Sequence, residues 1–298
     1  MTPFRCAAAS VARGDGLVGT ASTVRSFLLV EHAGSWGVDA LRDARLPEGL
    51  GDHLARSGRR AGVRVLLVRR TGRRPERSGI RVFAARAAGA DSWLEAGTLG
   101  SVDDVRGLDL GALGEGRSPG LDPYAGPLVA VCTHGRHDAC CAELGRPVAL
   151  ALARSRHAAD VWECSHIGGD RFAGNLLVLP RGLYYGRVDP DAALAVVDAA
   201  SEGRVSLDHL RGRSDVSMPV QAAEIHVRRL LDLRGLDDVH PTAARTQGDL
   251  TTVTLDAGDR TVRVEVRRVL EAAQRLTCGA LRDNPVPRYE VRVSRAGP

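Results

Sequence analysis

Two short apolar runs, Leu128–Val131 and Asp160–Trp162, each break directly into a loop dense in soft donors. The first loop reads Cys132-Thr-His-Gly-Arg-His-Asp-Ala-Cys140-Cys141, and the second Glu163-Cys164-Ser-His166-Ile-Gly-Gly-Asp170. Together they hold four of the six cysteines and three of the nine histidines. Short apolar runs bounded by polar turns predict buried strands. Two neighbouring strand ends would then bring thiols, imidazoles and carboxylates to one place. That arrangement suits a metal or iron–sulfur centre, or a reactive thiol, better than it suits packing.

The chain has 298 residues, which at ~150 residues per domain predicts about two domains. Aromatic residues are only 4%, so the core must rely on Leu, Val and Ala. No apolar run approaches the ~18 residues of a membrane span, so no membrane association is expected. The N-terminus lacks the apolar centre of a secretory signal, and the expected compartment is the cytoplasm. Six cysteines in a chain of this size do not make a disulfide framework. Cys6 and Cys278 stand alone in the sequence and are expected to be buried, inert thiols.

All 41 basic residues are arginine, and the formal charge is +5. The arginines are spread along the chain, and no nucleic-acid partner is expected. The one concentration, Arg69 to Arg77, lacks the interleaved aromatics of a single-strand binding surface. It reads as a solvated loop, with a docking patch for an acidic partner as the alternative.

The pattern along the chain is α/β. Ser26–Glu31 and Val63–Val68 read as buried strands flanking a helix over Leu50–Arg60, with weaker strands around Arg81 and Ser92. Residues 107–127, rich in Gly and Pro, read as a loop or linker. A second strand–helix–strand unit follows, with Pro147 as the first residue of its helix. Asn175–Leu179, Pro180–Gly182 and Leu183–Val188 spell a hairpin, and Asp189-Pro190 caps a helix running to Ala200. Farther on, a helix over Pro219–Leu233 ended by Gly235 precedes a hairpin at Leu250–Leu255 and Thr261–Val266 and a strand at Arg288–Val293. The expected organisation is an N-terminal α/β segment (1–115), a central domain (120–213) and a small mixed α/β accessory domain (215–298). Leu54-Ala-Arg-Ser57 and Leu152-Ala-Arg-Ser155 echo one another, a hint that the first two share a layered plan.

From the residues alone, the first loop offers Cys132 with Cys141 or Cys140, and the second offers His166 with Asp170 or Cys164. A [2Fe–2S] centre takes four such ligands, and imidazole in place of thiolate raises its potential. Gly168 and Gly169 let the second loop bend tightly. His134, His137 and His157 are expected to be loop or capping groups, Arg136, Asp138 and Arg171 local ion pairs or a docking surface, and Trp36, Trp162, Tyr184 and Tyr185 packing.

The segment from Cys132 to about Arg213 resembles the thioredoxin-like [2Fe–2S] ferredoxin module of the sucrase/ferredoxin-like family. The resemblance rests on the first loop, on Cys141-Ala-Glu-Leu-Gly145, on Trp162 to Asn175, and on Leu179-Pro-Arg-Gly182-Leu-Tyr-Tyr-Gly186-Arg. Leu28-Leu-Val-Glu-His-Ala-Gly-Ser-Trp36-Gly37 extends it towards the N-terminus. It implies a cluster held by Cys132 and Cys141 from the first loop, with the second pair of ligands falling on His166 and Asp170. Relatives with His-x3-His at the second pair are thought to use two Cys and two His, so Asp170 is a departure. Asp170 could ligate as a harder donor, or orient His166 while Cys164, two residues before it, takes the fourth position.

The expected function is one-electron transfer by an iron–sulfur protein, a carrier rather than an enzyme, working with a reductase or acceptor whose docking face is acidic. Two alternatives compete: a thiol oxidoreductase on the same scaffold, although no Cys-x-x-Cys occurs, and a zinc-binding protein. Glycoside hydrolysis needs two positioned carboxylates, and nothing in the sequence singles out such a pair.

Overall fold

The computed structural model describes residues 3–72 and 78–294. The chain opens with helix α1 (Cys6–Arg13) and strand β1 (Ser26–Glu31). A short α2 (Ala40–Asp43) leads to α3 (Leu50–Ala61), then β2 (Val63–Arg69), β3 (Ile80–Arg86) and β4 (Trp93–Leu99). After α4 (Leu110–Gly114) and β5 (Asp122–Pro123) come β6 (Leu128–Cys132), α5 (Ala139–Ala153), β7 (Val161–Cys164), β8 (Leu176–Leu179) and β9 (Leu183–Tyr185). Helix α6 (Pro190–Ser201), β10 (Leu210–Arg213) and α7 (Met218–Leu231) precede the strands β11 (Val239–Gln247), β12 (Leu250–Ala257), β13 (Arg260–Gln274) and β14 (Asn284–Val293).

Among the described residues, ten strands form one mixed sheet in the order β10-β9-β8-β6-β7-β2-β1-β3-β4-β5, and the last four strands form a separate antiparallel sheet. The large sheet repeats one plan. β1 runs parallel to β2 and antiparallel to β3, which is antiparallel to β4. β6 runs parallel to β7 and antiparallel to β8, which is antiparallel to β9. The halves join where β2 meets β7 antiparallel, Val68 opposite Cys164 and Arg69 opposite Glu163. The echoed tetrapeptides fall at matching places: Leu54 precedes Val63 by the same distance as Leu152 precedes Val161.

Each central strand is buried on both faces, as an apolar run without alternation requires. Leu50 and Leu54 of α3 share a core with Leu28 and Val30 of β1. Val148 and Leu152 of α5 share another with Val129 and Val131 of β6. The alternate residues, among them Phe27, Leu29, Phe83, Ala130, Trp162 and Leu177, belong to one apolar cluster spanning both halves. In the second sheet, Val253 and Leu255 of β12 alternate inward against Val220 and Val227 of α7.

Several expectations are corrected. The stretch 107–127 is built into the fold rather than linking it: Leu110 and Leu113 are buried, β5 pairs with β4, and Tyr124 Oη donates to Asp160 Oδ1 at 2.8 Å. Glycine and proline mark its turns but say nothing of what the turns pack on. Helix α5 starts at Ala139 and contains Pro147, because Asp138 caps it by accepting from the Cys140 N–H at 2.9 Å. Helix α7 ends on Asp232 in the left-handed conformation, not at Gly235. Arg69 and Arg70 are anchored rather than solvated, stacked on Trp36 and Trp162 at 4.3 and 3.9 Å. Residues 73–77 of that run lie outside the described residues.

Candidate functional site

Strands β6 and β7 lie side by side, so their C-terminal ends deliver both loops to one edge of the sheet. Cys132 is the last residue of β6, and Cys141 sits in the first turn of α5. The second loop brings His166 and Asp170 over them. The donor atoms of Cys132, Cys141 and His166 all lie within 4.8 Å of one another. Cys141 Sγ donates to Asp170 Oδ1 at 3.2 Å, and His166 Nδ1 lies 2.9 Å from the same oxygen.

The cysteines form the buried floor of this group, each 1% exposed, while the His166 side chain is 26% exposed. Cys141 and His166 both turn towards Cys132 and hold its thiol well below the usual range against the opposing effect of burial. The same hydrogen bond, with burial added, pushes the Cys141 thiol up. Burial alone would lower His166; contact with Asp170 and Cys132 outweighs it and raises the imidazole to about 9. Asp170, in turn, stays below the usual carboxylate range despite burial, because His166 faces it.

Two candidates from the sequence are not among these converging donors, although Cys164 neighbours Cys132 in the same buried cluster. Cys164 is fully buried at the end of β7, in register with Cys132. The strand stops there, and Ser165 turns to pair with Leu67 through both its N–H and its hydroxyl. Strand alternation therefore does not carry Cys164 to the side of His166. Cys140 precedes Cys141 by one helical position, a rotation of about 100°, and points away towards Cys6 and Cys278. Cys6 and Cys278, isolated in sequence, thus meet in the fold.

His137 joins the site where only a loop polar group was expected. Its ring stacks on His166 with centroids 3.9 Å apart, and its Nε2 lies 4.0 Å from Asp170 Oδ2. Its Nδ1 donates to the Val38 carbonyl at 3.2 Å, which can only accept, and this leaves Nε2 as the ring nitrogen that faces Asp170. His134 is spoken for on both sides: Nε2 donates to the Gly37 carbonyl at 2.9 Å, and Nδ1 accepts from the His166 N–H at 3.2 Å.

The second loop is tied down by groups that carry no local signal. The buried Arg211 donates to the Gly168 carbonyl at 2.9 Å and to Asn175 Oδ1 at 2.8 Å. Asn175 Nδ2 donates to the Gly169 carbonyl at 2.9 Å, and its own carbonyl accepts from Cys132 N–H at 3.0 Å. Gly168 and Gly169 have φ of 94° and 84°, and a Cβ at Gly169 would lie 2.3 Å from an Arg211 nitrogen. Both the conformation and the space require glycine there. Arg64 and Ser22 donate to the Ile167 carbonyl at 3.1 and 3.2 Å, so the first segment also supports the loop.

Among curated proteins, the chain is similar to Altered inheritance of mitochondria protein 32 of Meyerozyma guilliermondii, with 32% identity over 95 residues, covering 28% of this chain and 34% of that protein. The protein of the same name from Clavispora lusitaniae is 32% identical over 101 residues, covering 31% of this chain and 37% of that one. The matched part spans about a third of the length of these relatives. No solved structure matches the chain. The model of the sucrase/ferredoxin-like family matches residues 17–212, about two thirds of the 298 residues and all of the site just described, so the chain belongs to that family.

Proposed function

We propose that this chain holds a [2Fe–2S] cluster through Cys132, Cys141, His166 and Asp170 and passes single electrons to a partner protein. The observation that carries the reading is the convergence of two buried thiols and one imidazole within 4.8 Å, drawn from a strand end, a helix start and a loop. The donor set fits the group. Soft thiolates and imidazole suit iron–sulfur chemistry, and the site already favours an ionised Cys132. The repeated strand plan, a parallel pair followed by two antiparallel strands, is in keeping with a thioredoxin-like module.

Such a cluster supplies reversible one-electron chemistry when bound. The residues of the chain do the rest. Cys132 and Cys141 provide anionic donors out of contact with water. His166 and His137 form the exposed side, where a partner can approach. Arg211 and Asn175 hold the loop so that His166 and Asp170 keep their places. Beside the site lies a cleft of about 510 Å³ bordered by Trp36, Arg69, Arg136 and Arg146, which suits an acidic docking face. Among the described residues no helix is long and apolar enough to cross a membrane. All six cysteines are free thiols, in keeping with a reducing compartment, and we place the carrier in the cytoplasm.

A thiol oxidoreductase is the second reading, favoured by the low Cys132 thiol beside Cys141. Against it, both thiols are 1% exposed, which leaves a disulfide substrate no approach. Anaerobic purification with an optical spectrum and metal analysis decides. A red-brown protein with about two iron and two acid-labile sulfides per chain is expected. Colourless protein lacking iron, prepared from iron-replete cells, would remove the cluster reading.

A further inference from the structure

Behind the first donor set lies a second one. Cys140 Sγ is 3.5 Å from Cys278 Sγ, and Cys278 Sγ is 3.6 Å from Cys6 Sγ. Cys6 Sγ lies 3.6 Å from each carboxylate oxygen of Asp138. One donor atom from each of these four residues lies within 4.8 Å of the other three. Cys6, Cys140 and Asp138 are buried, with Ala7 and Ala173 packed around them. We propose that Cys6, Cys140, Cys278 and Asp138 form a structural zinc site, distinct from the iron–sulfur site.

The spacing fits the ion. Four donors around tetrahedral zinc, with Zn–S near ~2.3 Å, place sulfurs about 3.8 Å apart. Three thiols meeting at one point cannot all be used by a disulfide, which pairs two and leaves the third. Thiolates with one carboxylate select zinc over magnesium or calcium, which take oxygen shells. Backbone donors already line the site: the Cys6 N–H points to Cys278 Sγ at 3.5 Å, and the Cys278 N–H to Asp138 Oδ2 at 2.7 Å. The positive start of α5 offsets part of the negative charge the four donors carry.

The site also explains a long hairpin. β13 and β14 extend well beyond the second sheet's core, and their connection carries Cys278 to α1 and to the start of α5. Zinc there would pin α1 and this hairpin to the helix that presents Cys141 on its other side. Cys140 and Cys141 are adjacent, so one helical turn would serve both sites.

The test is zinc analysis of full-length protein after incubation with Zn²⁺ under anaerobic, reducing conditions and desalting. About one zinc per chain is expected, with an X-ray absorption first shell dominated by sulfur near ~2.3 Å. Cys6→Ser and Cys278→Ser should each lower zinc about tenfold or more while the iron content stays. Zinc and iron are read at separate edges, so either assignment can fail alone. Zinc-free wild-type protein, or a Cys140–Cys278 disulfide in it, would overturn the site. So would zinc retained in both variants but lost in Cys132→Ser, which would put the ion in the other set. The wild-type absorption spectrum stands even if a variant fails to fold.

Discussion

Asp170 is the residue on which the first site turns. It accepts from Cys141, pairs with His166 and faces His137. If its carboxylate is the fourth donor, Asp170→Ala should lose the chromophore, while His137→Ala should only shift its spectrum. The reverse outcome would move the fourth donor to His137 Nε2. Cys132→Ser and Cys141→Ser should each bleach the protein, and Cys164→Ser and Cys140→Ser should leave most of the colour. Bleaching by Cys164→Ser would return that thiol to the donor set. The same contacts set a pH dependence in metal-free protein. His166 is raised from 6.5 to about 9, so its stabilising contribution is complete below about 6.5 and is lost as pH rises through about 9. Asp170 is lowered from 3.8, so its contribution is present above that value and is lost as pH falls through the lowered one. Cys132 is lowered by the same contacts, so between about pH 6.5 and 9 the proton that His166 keeps is matched by the one Cys132 has lost, and the wild-type melting temperature should be nearly flat there; in Cys132→Ser only the His166 contribution remains, and the melting temperature should decline across that window. A flat curve in that variant would sink the assignment. Cys132 and His166 were legible in the sequence because they lie at or just past strand ends that burial predicts, whereas the strand ends left Cys140 and Cys141 open and only the family resemblance favoured Cys141. His137 was not legible. Its orientation is set by the Val38 carbonyl, 99 residues away, and no local pattern carries that.

At the level of elements, the site depends on one strand end, one helix start and one bend: the end of β6, the first turn of α5, and the loop from Ser165 to Asp170. The start of α5 was misread because Pro147 looks like a helix opener, whereas Asp138, the actual cap, looks like one more polar loop residue. The long β13–β14 hairpin was cut short for a related reason. Residues 267–273 are exposed or half-exposed, so they lack the alternation that announces a strand. The double glycine of the bend, by contrast, could be read directly. Gly169→Ala tests its role, because two costs coincide there. The left-handed conformation alone costs about 1–2 kcal/mol for a residue with a Cβ. The added methyl would also displace the Arg211 guanidinium, which holds the Gly168 carbonyl and Asn175. Gly203→Ala is the control: its φ is 72°, and an added Cβ meets nothing within 4 Å. Gly169→Ala should lose more stability than the control and most of its iron. Equal melting temperatures with full iron would show that Arg211 does not hold the loop.

Across the whole molecule, one topology occurs twice and only one copy carries the donors. In register, Leu29 and Leu66 of the first half stand where Cys132 and Cys164 stand in the second. All four residues belong to the same apolar cluster. The first half therefore keeps the frame without the chemistry, and its work is mechanical. It extends the sheet through the β2–β7 pairing, lends Arg64 and Ser22 to the second loop, and places Gly37 and Val38 against His134 and His137. The sequence echo in α3 and α5 hinted at this plan, but the antiparallel joint between the halves was invisible, since it rests on two residue pairs with no motif of their own. If the shared cluster makes the sheet one cooperative unit, damage far from the donors must reach them. Leu54 is fully buried in α3 and touches none of the donor residues. Leu54→Ala should cost about 2–5 kcal/mol through the cavity it leaves. In anaerobic urea titrations, loss of colour and loss of far-UV circular dichroism should coincide in wild type and shift together in the variant. A variant that loses part of its helical signal at low urea while keeping its colour would show that the halves unfold separately, and the single-unit reading would be wrong.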